Sequence, residues 1–255
     1  MQAGLAVQKG RDVLEKIAGR IPVLECLKAR KRKAHQLYVL EGAPGLEDIR
    51  RAASGLSVVS MPRRDLDQIL PDALHQGVIL EADPLPVLKL EEWLDRDHAP
   101  DAIVVVLDGV EDPHNFGAIV RSAAAMGAEA VMFAKDRAAP ISPVSVKSAA
   151  GAMEYVDLVQ ATNLSRALDA MKDKGFWAAE LDEAASQTIW AADLGGRIAL
   201  VIGSEGKGVR RLVSEHCDFH LRIPLTGPIT SLNASVSAAI ALAECLRQRN
   251  KKPLP

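Results

Sequence analysis

The stretch I-V-V-V-L-D-G-V-E-D-P-H-N-F-G-A-I-V-R-S-A-A-A-M, residues 103–126, decides how this chain is read. Ile103 to Leu107 is a continuous apolar run of strand length, the pattern of a strand covered on both faces. A loop rich in turn residues follows. From Phe116 to Met126 almost every side chain is apolar or small, as in a helix packed closely on its neighbours. Asn115 stands where the helix N-cap is expected. Arg121 is the one full charge on that helix. Such an Arg either pairs with a buried carboxylate or points into a site for phosphate or ribose, and this stretch alone leaves both open.

The same alternation continues outward. Residues 128–134, 155–160, 176–181, 198–203 and 219–223 read as strands, and 144–152, 164–175, 209–216 and about 233–248 as helices. Strands alternating with helices imply a mostly parallel sheet with helices on both faces. Toward the N-terminus lies a smaller unit, with helices at 21–30, 46–54 and 65–74 and strands at 37–42, 56–61 and 75–82. Asp83-Pro84-Leu85-Pro86 then breaks regular structure. The predicted organisation is a helical extension over 1–18, a small α/β domain over 19–84, a linker over 85–100 and a larger α/β domain over 101–255.

Composition narrows the function classes. The 255 residues are 48% hydrophobic and 25% charged, which suits a globular chain with a sizeable core. No apolar run approaches the roughly 20 residues of a membrane span, and the first residues do not read as a signal peptide. The expectation is a cytoplasmic protein with no membrane partner. Cys26, Cys217 and Cys245 are far apart and outside any C-x-x-C pair, so reduced thiols and no metal are expected. Net charge is −2, but from Arg20 to Arg64 ten Lys/Arg face four Asp/Glu. Lys28, Arg30, Lys31, Arg32 and Lys33 form the densest part. They could neutralise RNA phosphates or could be a solvated helix end.

Ligands gather at the carboxyl ends of strands in open α/β sheets. Besides 108–121, two loops there are unusual. I-G-S-E-G-K-G-V, 202–209, has three glycines that permit positive φ and close backbone approach, yet it is neither a Walker A loop nor a dinucleotide fingerprint. I-P-L-T-G-P-I-T-S-L-N-A-S, 223–235, is long and rich in hydroxyl and amide groups, and Ser231 or Asn233 could cap the last helix.

Together, H-N-F-G-A-I-V-R-S-A (114–123), G-S-E-G-K-G (203–208) and I-P-L-x-G-x-x-x-S-L-N-A-S (223–235) resemble the three ordered motifs of SpoU/TrmH-type RNA 2'-O-ribose methyltransferases of the SPOUT class. K-S-A-A-G-A-M-E (147–154) resembles the segment between the first two, and the likeness covers about 100–248. G-R-I-P-V-L-E-C-L (19–27) and H-Q-G-V (75–78) resemble the ribosomal-protein-like RNA-binding domain of the large-subunit rRNA guanosine-2'-O-methyltransferases. Ser204 and Ala234 depart from the commoner Ala and Val, without removing a group assigned to chemistry.

The resemblance implies a C-terminal domain with a deep trefoil knot formed by 198–206, 221–226 and 230–235. It implies S-adenosylmethionine as cofactor, held by Gly203, Ile223, Leu225 and Leu232 with Ile202, Ser204 and Gly206. Asn115, Arg121, Glu205, Ser231 and Asn233 would be catalytic. It also implies a homodimer through the C-terminal helix, which suits the stripe Ala238, Ala239, Ala241, Leu242 and Cys245. A guanosine of large-subunit rRNA is the expected target. A tRNA-directed or antibiotic-resistance rRNA enzyme of the same branch, or a non-catalytic ribosome-assembly factor, are the alternatives.

Overall fold

The computed structural model describes residues 14–71, 73–136 and 141–249. The chain divides into two compact units between Pro86 and Val87.

The first unit contains β1 (Glu15–Ala18), α1 (Arg20–Ala29), β2 (Ala34–Leu40), α2 (Glu47–Ala52), β3 (Ser57–Met61), α3 (Arg63–Ile69) and β4 (Val78–Ala82). Its sheet runs β1-β4-β2-β3, with β2 and β3 parallel and the other pairs antiparallel. Ile17, Val23, Leu37, Val39, Val78 and Leu80 meet in one core. The helical extension expected over 1–18 is corrected where it can be seen. Residues 15–18 are strand β1, because Ile17 buries against the sheet and pairs with Leu80. The rest of that extension, 1–13, lies outside the described residues. Helix α3 stops at Ile69, two residues before Pro71, whose ring disfavours helical backbone in the residue ahead of it.

The second unit contains β5 (Val87–Lys89), α4 (Leu90–Leu94), β6 (Ile103–Asp108), α5 (Pro113–Ala125), β7 (Ala130–Ala134), α6 (Pro143–Ala149), β8 (Asp157–Ala161), α7 (Leu164–Asp173), β9 (Phe176–Leu181), β10 (Gln187–Thr188), β11 (Arg197–Gly203), α8 (Arg211–Ser214), β12 (Phe219–Arg222) and α9 (Ala234–Arg249). Eight parallel strands run in the order β10-β12-β9-β11-β6-β7-β8-β5. Residues 85–100 are therefore not a plain linker. Val87–Lys89 adds the edge strand beside β8, and α4 buries Trp93 completely. The polar residues around Leu90, Trp93 and Leu94 hid a short amphipathic turn.

Apolar side chains of β6, β7, β8, β9 and β11 on one face pack with Trp93 of α4 and Leu168 and Met171 of α7. Helices α5 and α9 pack on each other, and α9 packs on β11. Strand β11 enters between β9 and β6. The order therefore reverses there, and the loops leaving β6 and β11 open side by side.

Capping is local and legible after the fact. Asp112, not Asn115, caps α5 by accepting from the His114 N–H at 3.0 Å, with Pro113 in the first turn. Asn115 is left inside the first turn, free to face outward. Gly117 is required by packing rather than by backbone angle. A Cβ there would lie 2.4 Å from the Ser145 carbonyl oxygen and 2.6 Å from Ser148 Cβ of α6.

Gly117→Ala should therefore destabilise the second unit despite the better helix propensity of Ala. Overpacking costs about 1–3 kcal/mol, against about 1 kcal/mol gained in helix propensity. A thermal scan should show the melting midpoint lowered by a few degrees, at about 2–4 °C per kcal/mol. An unchanged or raised midpoint would show that α6 has room to withdraw.

Candidate functional site

The loop after β11 is folded flat onto itself. Ser204 and Gly208 exchange backbone hydrogen bonds, each 3.0 Å. Gly206 and Gly208 take φ of 77° and 64°, in the left-handed region that favours glycine. A Cβ on Gly203 would lie 2.1 Å from the carbonyl carbon of Gly208 and 2.3 Å from the nitrogen of Val209. No side chain fits there without opening the loop. At its base, Asp108 is completely buried at the end of β6. Its two oxygens accept from the Arg210 N–H and the Arg210 Nε–H, each 2.7 Å. That hydrogen bond, more than charge alone, holds the Arg210 guanidinium above its usual range.

This loop forms one wall of an open cleft of about 480 Å³ at the carboxyl ends of the strands. Ile202, Gly203, Ser204, Gly206, Ile223, Leu225 and Leu232, the seven residues named for the cofactor, all line it. Leu181, Asp182 and Glu183 at the end of β9 form another wall. The volume falls in the range of small-molecule sites, roughly 300–1,000 Å³. Apolar side chains beside close-approach backbone suit an adenosine-bearing ligand.

The three motifs meet at one edge of this cleft. The Asn115 amide donates to Glu205 Oε1 at 2.9 Å. The Asn233 amide donates to Asn115 Oδ1 at 2.9 Å and also to Glu205 Oε1. Asn233 Oδ1 meanwhile accepts from the Ser235 N–H at 2.9 Å and so caps α9. Glu205 and Ser231 line the cleft itself. The structure thus joins Asn115, Glu205 and Asn233 directly, with Ser231 nearby.

Arg121 is not brought into that group. It lies less than two turns further along α5, is exposed, and among the described residues has no ion pair or side-chain hydrogen bond. Among the described residues there is no buried carboxylate paired with Arg121. An exposed, unpaired guanidinium keeps its donors available for a phosphate.

Two sequence expectations change. Within the basic run, Arg32 is structural. Its side chain is 5% exposed, it pairs with Glu15, and it donates to the Asp83 carbonyl at 3.2 Å. Lys28 pairs loosely with Glu25 at 3.2 Å, and Lys28, Arg30 and Lys33 are exposed. On α9, Ala238, Ala241, Leu242 and Cys245 are fully buried. Helix α9 packs on α5 and β11 of its own chain, so most of the stripe assigned to a dimer contact belongs to the core of the unit.

Sequence reasoning missed Asp108, Arg210 and the β9 wall. Asp108 read only as a strand end, and its partner lies 102 residues away. Cys217, between α8 and β12, is a free thiol held in its neutral form. Burial first, and then nearby Glu180, push its thiol up to about 12. No group of three or more His, Cys, Asp or Glu suited to a metal occurs among the described residues. No helix among them is long and apolar enough to cross a membrane.

Residues 102–243 match the SpoU rRNA Methylase family, and residues 16–88 match the RNA 2'-O ribose methyltransferase substrate binding domain. The chain is 41% identical to the 23S rRNA (guanosine-2'-O-)-methyltransferase RlmB of Pseudomonas putida, covering 94% of this chain and 98% of that one. It is 42% identical to an uncharacterised tRNA/rRNA methyltransferase of Mycolicibacterium vanbaalenii, covering 94% and 79%. A solved RNA 2'-O ribose methyltransferase superposes with a TM-score of 0.76 at 29% identity, over 93% of this chain and 90% of that one. The fold is also that of AviRb from Streptomyces viridochromogenes, with a TM-score of 0.76 at 24% identity over 93% and 91%. The chain belongs to the SpoU rRNA methylase family.

Proposed function

We propose that this chain is an S-adenosylmethionine-dependent RNA methyltransferase that modifies a ribose 2'-hydroxyl, with a guanosine of large-subunit rRNA as its target in the cytoplasm. The observation that carries the reading is the junction of Asn115, Glu205 and Asn233 at the edge of a glycine-walled cleft. The target follows from the relatives named as 23S rRNA guanosine-2'-O-methyltransferases, which match nearly the whole chain.

Bound S-adenosylmethionine would supply a methyl group on a positively charged sulfur. The residues of the chain supply position and proton handling. The backbone of 203–208 and the 223–232 segment hold the cofactor. The resemblance implies a trefoil knot formed by 198–206, 221–226 and 230–235, and the Asn233–Glu205 hydrogen bond joins two of those segments. Glu205 Oε1 takes both amide donations, which leaves Oε2 to accept from a substrate hydroxyl. As a guanidinium, Arg121 is a poor base. Its role is to hold the phosphate beside the reacting ribose and to stabilise the developing alkoxide electrostatically.

A homodimer completes this arrangement. Arg121 lies outside the cleft of its own chain, so a second copy is the natural source of the guanidinium at each site. The contact would use the exposed face of α9, with Val236 at 45% exposure, rather than the buried stripe. The first unit would hold the RNA through Lys28, Arg30 and Lys33, with Lys31 beside them and Arg32 bracing the fold.

Four outcomes are expected. Calorimetry should show S-adenosylmethionine binding that Gly203→Ala weakens at least about tenfold, since even one methyl group meets backbone at that position. No binding by the wild-type chain, with or without RNA, would remove the assignment. Arg121→Ala should keep the melting midpoint and cofactor affinity while losing about 10²–10³ in methyl transfer. Transfer at the wild-type rate would exclude Arg121 from the chemistry. Replacing Lys28, Arg30 and Lys33 together by Gln should weaken RNA binding and lower its salt slope by up to about two to three. An equal affinity and slope would leave the grip on RNA to the second unit. Mass-spectrometric mapping of 2'-O-methyl sites in cells lacking the protein should show one guanosine of large-subunit rRNA unmodified, whereas a loss in tRNA alone would favour the tRNA-directed reading.

A further inference from the structure

Strand β6 carries five buried apolar residues and then a carboxylate, Asp108, with no exposed surface at all. Burying a carboxylate costs several kcal/mol, and a well-packed apolar residue usually serves stability as well or better. Arg210 relieves that cost only in part, because its own side chain remains 44% exposed. The charge therefore needs a reason other than stability.

Its position supplies one. In the parallel register Asp108 stands opposite Gly203, the last residue of β11 before the glycine-rich loop. Arg210, the N-cap of α8, is where that loop ends. Asp108 Oδ2 accepts from the Arg210 backbone N–H, and Oδ1 accepts from its side chain. One buried group thus indexes both the departure and the return of the loop. The neighbouring turn is seated on the same loop. Gly109 has φ 74°, and a Cβ there would lie 3.5 Å from Ser204 Cβ. The tip of the loop, Glu205, is held separately by Asn115 and Asn233.

We propose that Asp108 is a positioning residue that locks the glycine-rich loop at its base, so that the cleft wall of 203–208 and Glu205 are set before any ligand arrives. The inference rests on the reading of this cleft as the S-adenosylmethionine site. Asp108 bonds to Arg210 rather than to the Asn115–Glu205–Asn233 cluster, and acts on that cluster through the loop. The Arg210 N–H and Nε–H use different oxygens of Asp108; in Asp108→Asn one of these becomes an NH2, which only donates, so one of the two Arg210 contacts is lost and the loop base opens while the strand remains. Preorganisation lost in this way weakens ligand binding without removing a ligand contact.

The test uses the full chain with Asp108→Asn and, separately, Arg210→Gln, which leaves Asp108 its backbone donor. Hydrogen exchange is measured on the amides of 204–208 and of 104–107. Methyl-transfer kinetics are measured with S-adenosylmethionine and RNA varied in turn. In both variants the 204–208 amides should exchange faster while 104–107 stay protected. The KM for S-adenosylmethionine should rise at least about tenfold, with the KM for RNA nearly unchanged. Unchanged loop exchange, or a loss of midpoint with both KM values moving together, would make the pair merely structural and overturn the proposal. If Asp108→Asn fails to fold, Arg210→Gln decides by the same two readouts. If the wild-type chain neither binds nor uses S-adenosylmethionine, the reading of the cleft falls. The exchange comparison still decides whether Asp108 holds the loop.

Discussion

A backbone-on-backbone contact governs the cleft. Gly203 lies so close to Gly208 and Val209 that a single added carbon would overlap both. This contact, with the Ser204–Gly208 hydrogen bonds, flattens the loop after β11 into a wall. A flattened loop presents main-chain groups rather than side chains to whatever enters. It also leaves Glu205 at the rim, within reach of Asn115 from α5 and Asn233 from the start of α9. If the loop opens, the wall, the rim and the cap of the last helix change together.

The sheet order explains why these pieces converge. Because β11 enters between β9 and β6, the loops after β6 and β11 emerge side by side at the reversal of strand order. Asp108, Gly203 and Glu205 then sit within one small region, although 95 residues separate the first two in the chain. Asn233 performs two tasks there. Its oxygen caps α9 and its nitrogen binds the rim, so forming the helix and assembling the site are one event. Arg121 stays apart, exposed on the same helix as Asn115; under the proposed function a second copy of the chain would bring it to the cleft.

Much of this was legible in the sequence for identifiable reasons. Ile103–Leu107 and Ile198–Ile202 are apolar on both faces, which marks central parallel strands. The loop glycines and the Asn and Ser residues after β12 read by themselves as a tight turn and a helix cap, and it was their ordered likeness to the SpoU/TrmH motifs that marked them as a candidate site. What was hidden depended on partners distant in sequence. Asp108 reads as a strand end until Arg210 is seen beside it. Gly117 reads as an indifferent small residue until Ser145 of α6 is seen 2.4 Å from where its Cβ would be. Arg32 looks like one cation in a row of five, but Glu15 makes it part of the fold. The α9 stripe was seen correctly as apolar and assigned to the wrong neighbour, because periodicity shows that a face is buried and not what buries it. Residues 87–94 were passed over because a three-residue strand and a five-residue helix carry too little periodicity to stand out.

The most direct measurement is a crystal structure of the full chain grown with S-adenosylmethionine. The account places the cofactor between the 203–208 backbone and the 223–232 segment, with the reactive methyl facing the Asn115–Glu205–Asn233 junction. Cofactor bound elsewhere, or bound there with its methyl turned away from that junction, would contradict it.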